Sequence, residues 1–247
     1  ISAATESGLT FASLLLQRGQ NYYNSAQTKT TFDTNAAIDA FEMWTDFYTK
    51  YDFDQQYDAF SRFRTGEYPV VVSDYCTFFN QLAVAAPDGL WGFAPIPGTL
   101  QEDGTISHAV NSNNTGAVIF NKVDKKTNGM DNAWTFLKWF CSTEVQVEYG
   151  TQIEGLLGQM GRYATANTEA LTQLAWSTDE ANTILGAMDE LEEIPIIPAS
   201  YSVTRNVMNA FRDVVNNNEN PRDTLMSYNR DINEEITRKR ENLGLDS

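Results

Sequence analysis

Apolar positions fall into helical and strand-like patterns along this chain. Over residues 35–51, Ala37, Phe41, Trp44, Phe47, Tyr48 and Tyr51 recur at three- and four-residue steps, which predicts an amphipathic helix. Asp33-Thr34-Asn35 supplies its N-cap oxygen. A shorter helix is predicted over 7–18 on Leu9, Phe11, Leu14, Leu15 and Leu16, closed by Gly19 and followed by a polar, aromatic loop through Tyr22 and Tyr23. Another helix ends at Gly66. The apolar run Tyr68–Val72 after it predicts a buried strand, and further strands are predicted over 91–96, about 105–110 and 116–121. Pro97-Gly98 and Asp103-Gly104 read as turns. A helix over about 131–150 places Ala133, Trp134, Leu137, Phe140 and Cys141 on one face, expected to lie in the core. Ser177 and Glu180 have capping-box spacing and open a helix carrying Ile184, Leu185, Met188 and Leu191. The stretch EIPIIPASY is extended, because each proline disfavours helix in the residue before it. Val203, Val207, Ala210, Phe211 and Val214 mark the next helix. Asn220 caps the last one with Pro221 at its first position, and Gly244 closes it.

The order is mixed α/β, with too few strands for a complete doubly wound domain of 247 residues. The missing strands would fit an absent N-terminal half, and an opening of ISAATESG without an initiator Met reads as part of something longer. Composition narrows the function. A net charge of −16 repels phosphate backbones and anionic lipid surfaces, so nucleic-acid partners are disfavoured and the charge serves solubility. No apolar run reaches the 18 or so residues that a membrane-spanning helix needs, and no signal peptide is visible. The two cysteines, Cys76 and Cys141, fit no metal spacing; both sit among apolar neighbours and are expected to be small buried side chains.

The inventory argues against catalysis. The single histidine, His108, would have to be the base of any nucleophilic scheme, and no nucleophile elbow is present. Its better reading is a satisfied strand-end side chain. The run MDELEE could supply paired carboxylates for glycoside hydrolysis, but adjacent acids at a solvated helix end are not the buried, proton-holding pair that such chemistry needs. Asp52, Asp54 and Asp58 lack the EF-hand spacing, and no phosphate-cradling loop exists. No cofactor or metal is expected. What remains is polar and aromatic residues at strand ends and loops, the inventory of a site for a neutral, hydroxyl-rich molecule.

The run from FRTGEYPVVVSDY through WGFAPIPGT and HAVNSNNTGAVIFNK to NAWTFLKWFCSTEVQVEYG resembles the family 1 extracellular solute-binding proteins of ABC transporters. The carrying positions are Phe63, Gly66-Glu67, Val70-Val71-Val72, Pro95 and Pro97, Asn111 to Asn114, and Ala133, Phe136 and Leu137. The tail, from GRYATANTEAL onward, adds to the likeness. At 74–76 the chain departs from the family's Gly and Trp, with Asp74, Tyr75 and Cys76. The resemblance implies an α/β, periplasmic-binding-protein-like type II fold, mainly its C-terminal lobe. Residues 1–110 and 165–247 would form that lobe, and 111–164 would cross to an N-terminal lobe otherwise absent. It implies a monomeric receptor that captures a small-molecule solute, expected to be a carbohydrate, and delivers it to a membrane permease. The receptor would be extracellular or periplasmic and lipid-anchored. A carbohydrate-active enzyme and a peptide-binding or sensor receptor on the same fold are the alternatives.

Ligands in such folds lie at the carboxyl ends of strands. The resemblance therefore puts Asp74 and Tyr75 on the cleft wall, Tyr22 and Tyr23 in a loop of stacking aromatics, Asn111 and Asn113 on the crossing strand, and Tyr201 near a C-terminal ligand aromatic. Arg162 would reach the cleft or pair with a local acid. Tyr75 has a second reading as a core residue, Asp74 as the cap of a helix over 77–85, and the asparagines as hinge hydrogen-bonding groups.

Overall fold

A computed structural model describes residues 8–56, 58–112, 116–122 and 128–245. The chain forms two compact units, one of residues 1–59, 96–112 and 190–247, the other of residues 60–95 and 113–189.

The first unit is built on four helices. α1 is Leu9–Leu16, α2 Asn35–Thr49, α9 Ser200–Asn217 and α10 Pro221–Asn242. The expected cap of α2 forms: the Thr34 hydroxyl accepts from the Ala37 amide at 3.3 Å. Asn220 likewise accepts from the Asp223 amide at 3.1 Å, ahead of Pro221, where a missing N–H costs nothing. The apolar stripes of these helices close on one aromatic core. Trp44 stacks on Phe211 at 4.2 Å between ring centroids, and Phe11 meets Phe32 and Phe41 edge-on at 5.3 and 5.7 Å. From α10, Leu225, Asn229, Ile232 and Ile236 turn inward at four-three-four spacing.

Two side chains tie loops to this core. Gln17 is buried; its amide donates to the Pro97 carbonyl at 3.1 Å and its oxygen accepts from the Thr99 hydroxyl at 2.8 Å. Thr30, also buried, donates through its hydroxyl to Asn229 at 2.7 Å, and its amide donates to Asn233 at 2.8 Å. Sheet structure is short. β1 (Thr99–Leu100) and β2 (Ile106–Ser107) form an antiparallel hairpin over the Asp103-Gly104 turn. β3 (Val110–Asn111) runs parallel to β4 (Leu191–Glu192), pairing the last residues of one segment of the unit with the first of another.

The second unit holds α3 (Ala59–Arg64, entered one residue before the unit), α4 (Tyr75–Ala85), α5 (Gly129–Phe140), α6 (Thr143–Leu157), a 3₁₀ turn over Gly158–Gly161, α7 (Thr168–Leu171) and α8 (Thr178–Asp189). Its core gathers Cys76, Phe79, Ala83, Leu171, Leu174, Trp176, Ala181 and Ile184. Buried Gln146 joins three segments. It donates to the Phe140 carbonyl at 2.8 Å and accepts from Thr165 and Tyr163 at 2.8 and 3.1 Å. The Ser177–Glu180 capping box is present in both directions.

Three expectations are corrected. The runs 68–73, 91–96 and 116–121 pair with no strand among the described residues, and Val70, Val118 and Phe120 are exposed. An apolar run states a preference for extended backbone, but a strand also needs a neighbour to bond. The single helix expected over 131–150 is two. The Ser142 hydroxyl donates back to the Trp139 carbonyl at 2.7 Å, competing with the helical ladder, and extended backbone at Ser142 starts α6 anew. Neither α5 nor Cys141 is in the core: no residue of α5 is buried, and Trp134, Phe136 and Trp139 are each 55% exposed. The lobes expected at 1–110 with 165–247 and at 111–164 refer to a longer protein and are not among these corrections; the compact units are a separate division of this chain.

Candidate binding residues

Four of the expected residues belong to the first unit. Tyr22 and Tyr23 are not displayed on a loop surface; both are buried at the edge of the aromatic core, edge-on to one another at 5.4 Å, with Tyr22 against Phe32 at 4.7 Å. Burial raises both phenol pKa values, so neither ionises in the ordinary range. The Tyr23 hydroxyl bonds to Ser200, in the first turn of α9. The next residue, Tyr201, is 79% exposed, with the Arg205 guanidinium 5.7 Å from its ring centre. The fold thus brings Tyr23 to the residue beside Tyr201, leaving one ring sealed and the other open. Asn111 is half-buried in β3, paired with Glu192 of β4. Asn113 lies outside the described residues. His108, close by in sequence, is satisfied. Its ring Nδ1 is 2.6 Å from the Ile96 carbonyl oxygen, and its amide donates to Glu190 at 2.6 Å.

The remaining three are in the second unit. Asp74 is exposed and caps α4, accepting from the Thr77 amide at 2.8 Å. Tyr75 packs with Trp176 at 5.8 Å and Phe93 at 6.2 Å, and its hydroxyl is buried without a hydrogen-bond partner. Desolvation, with smaller contributions from Cys76 and Asp74, raises its pKa. Arg162 pairs with a local acid: it donates to Glu154 at 2.7 Å, and its guanidinium lies 4.9 Å from the ring centres of both Phe79 and Trp176. Its carbonyl accepts from the Cys76 thiol at 3.2 Å and from the Asn80 amide at 3.0 Å. Asp74, Tyr75 and Arg162 therefore meet around the first turn of α4. Burial pushes the Cys76 thiol up to about 11.

Sequence reasoning missed a cavity of about 420 Å³ in this unit, lined by Phe79, Ala83, Trp91, Phe93, Gln159, Asp179, Glu180 and Thr183 among others. Residues 91–96 read as a strand, and the aromatic cluster that shapes the cavity joins residues up to a hundred positions apart. Among the described residues no three His, Cys, Asp or Glu side chains gather to hold a metal, and no helix is long and apolar enough to cross a membrane.

Comparison with known proteins gives the fold. No family model matches the chain, and no curated protein sequence matches it. Solved structures do. The sugar-binding protein MalE from Xanthomonas citri superposes with a TM-score of 0.68 at 14% identity, over 98% of this chain and 59% of that one. The maltose/maltodextrin-binding domain MalE from Bdellovibrio bacteriovorus, bound to maltotriose, gives 0.65 at 16% identity, over 96% and 59%. An ABC transporter solute-binding protein from Thermotoga lettingae, bound to α-D-tagatose, gives 0.64 at 14% identity, over 94% and 57%. The chain has the helix-rich α/β fold of MalE-like, type II periplasmic binding proteins and spans somewhat under three fifths of the length of these structures.

Proposed function

We propose that the chain is the larger part of a solute-binding component of an ABC importer. In this reading it captures a sugar or oligosaccharide between two hinged lobes and presents it to a membrane permease, without chemistry of its own. The observation that carries this is the likeness of nearly the whole chain to solute-binding proteins whose structures hold maltotriose and tagatose. For the longer protein we assign residues 1–110 and 165–247 to the C-terminal lobe and 111–164 to the segment that crosses to the other lobe, a division different from the packing here, where 113–164 share one unit with 60–95 and 165–189. The apolar face that α5 leaves uncovered lies inside that segment and supports the assignment. Within the first unit Tyr201 is the candidate stacking aromatic and Asn111 a candidate hydroxyl partner; within the second, Asp74 is a candidate hydroxyl partner. Tyr22, Tyr23, Tyr75, Arg162 and Asn113 are the further candidate ligand-binding residues; Tyr23 is tied to Ser200, beside Tyr201, and Arg162 to Cys76 and Asn80 of α4. The protein acts as a monomer on the outer face of the cytoplasmic membrane, held there by a lipid anchor.

A thermal-shift screen tests this. A ligand that binds only the native state at a hundred times its Kd stabilises by about 2.7 kcal/mol, worth roughly 5–10 °C for a chain of this size. Maltose, maltotriose or tagatose should raise the melting temperature, and Tyr201→Ala should remove the rise. A rise with peptides and none with sugars would discard the carbohydrate reading.

A further inference from the structure

The cavity of the second unit shares no residue with the proposed sugar site. One wall is aromatic. Phe79 of α4 meets Trp91 at 5.3 Å and 74° and Phe93 at 6.4 Å and 88°, so the rings form a corner. The Trp91 indole is fixed in place: its N–H donates to the Ala86 carbonyl at 3.1 Å, and Gly89 lies so close that a β-carbon there would sit 2.6 Å from the ring. The lining also includes two acids. Asp179 and Glu180 come from the first turn of α8, and among the described residues no Lys, Arg or His lines the cavity. Glu180 is engaged in the capping box with Ser177, whereas Asp179 is exposed and outside that cap. The same aromatic group already accommodates one cation, the Arg162 guanidinium over Phe79 and Trp176, whose charge is met by Glu154.

Aromatic faces attract cations through their quadrupole, and a carboxylate in the same cavity adds to that attraction. We propose that this cavity binds a small organic cation, an ammonium group with a short apolar body. The ammonium would sit against Trp91 and Phe93 and face Asp179. A volume of about 420 Å³ suits such a ligand.

Calorimetric titration of the 247-residue chain with choline, with its uncharged isostere 3,3-dimethylbutanol and with maltose tests the assignment. Choline should bind saturably in the millimolar range or tighter, with the isostere at least about tenfold weaker. Trp91→Ala should abolish the binding, Trp91→Phe should retain most of it, and Asp179→Asn should weaken it several-fold, with helix content by circular dichroism unchanged in each. Equal binding of choline and isostere, choline binding indifferent to Trp91→Ala, absence of saturable choline binding, or Trp91-dependent maltose binding in its place would each overturn the proposal. Tyr201→Ala leaves this cavity intact, so failure of the interlobe sugar reading and failure of this one are read separately.

Discussion

Helices α2 and α5 carry the same kind of stripe and meet opposite fates. Trp44 on α2 is 1% exposed, sealed by Phe11, Phe41 and Phe211, whereas Trp134 and Trp139 on α5 are each 55% exposed. Periodicity reports that a helix has an apolar face. It does not report whether the residues that cover the face are supplied by the same compact unit. For α2 the cover comes from α9 and α10, more than 150 residues further along; for α5 no such cover exists among the described residues.

The contrast can be broken at several points. The largest effect is expected for Trp44→Ala, which empties the centre of the first core and should cost about 3–5 kcal/mol in urea unfolding. Arg162→Leu strands Glu154 in a largely buried position and should cost about 3 kcal/mol, read as loss of the second unit's helical signal at lower denaturant. Asn220→Ala removes the cap of α10 and should cost about 1 kcal/mol. Trp139→Ser should change stability by less than about 0.5 kcal/mol in the same urea unfolding, because it removes exposed apolar surface and no core. A buried Trp139 would make that substitution as costly as Trp44→Ala and erase the contrast.

The cysteines sharpen the contrast chemically. Cys141 is exposed and Cys76 buried, so iodoacetamide at pH 8 should label Cys141 first and leave Cys76 until the chain unfolds. The Cys76 thiol is pushed from its ordinary 9.0 up to about 11, chiefly by desolvation. The folded state therefore holds this proton more tightly than the unfolded one. Its contribution is complete below pH 9 and is lost as pH rises through about 11. A Cys76→Ala variant should lose less stability than the parent across that interval.

Local signals were the legible ones. Thr34, Asp74, Asn220 and the Ser177–Glu180 pair each announce a helix start through one side-chain oxygen a few residues from its target, and all four do so in the structure. The second reading of Tyr75 was legible too, since an aromatic one residue inside a helix has a core to meet. Tyr22 and Tyr23 were harder. A Tyr-Tyr pair in a polar stretch looks like surface, and it is buried only because Phe11, Phe32 and Ser200 converge on it from three separate segments. The break between α5 and α6 was hidden by an unbroken apolar pattern; Ser142 was the available clue. The cavity behind Trp91 had no local signature, since Phe79, Trp91 and Asp179 share no element.

The discontinuity of the first unit has a consequence in time. Its residues 8–59 bring α1 and α2, but α9 and α10 arrive only after residue 200. At about 5–20 residues per second, the intervening stretch of roughly 130 residues takes on the order of 10 s to synthesise. Through that interval Trp44 lacks Phe211, the ring on which it stacks. Any factor that shields the α1–α2 face during synthesis must therefore do so until residues 190–247 emerge.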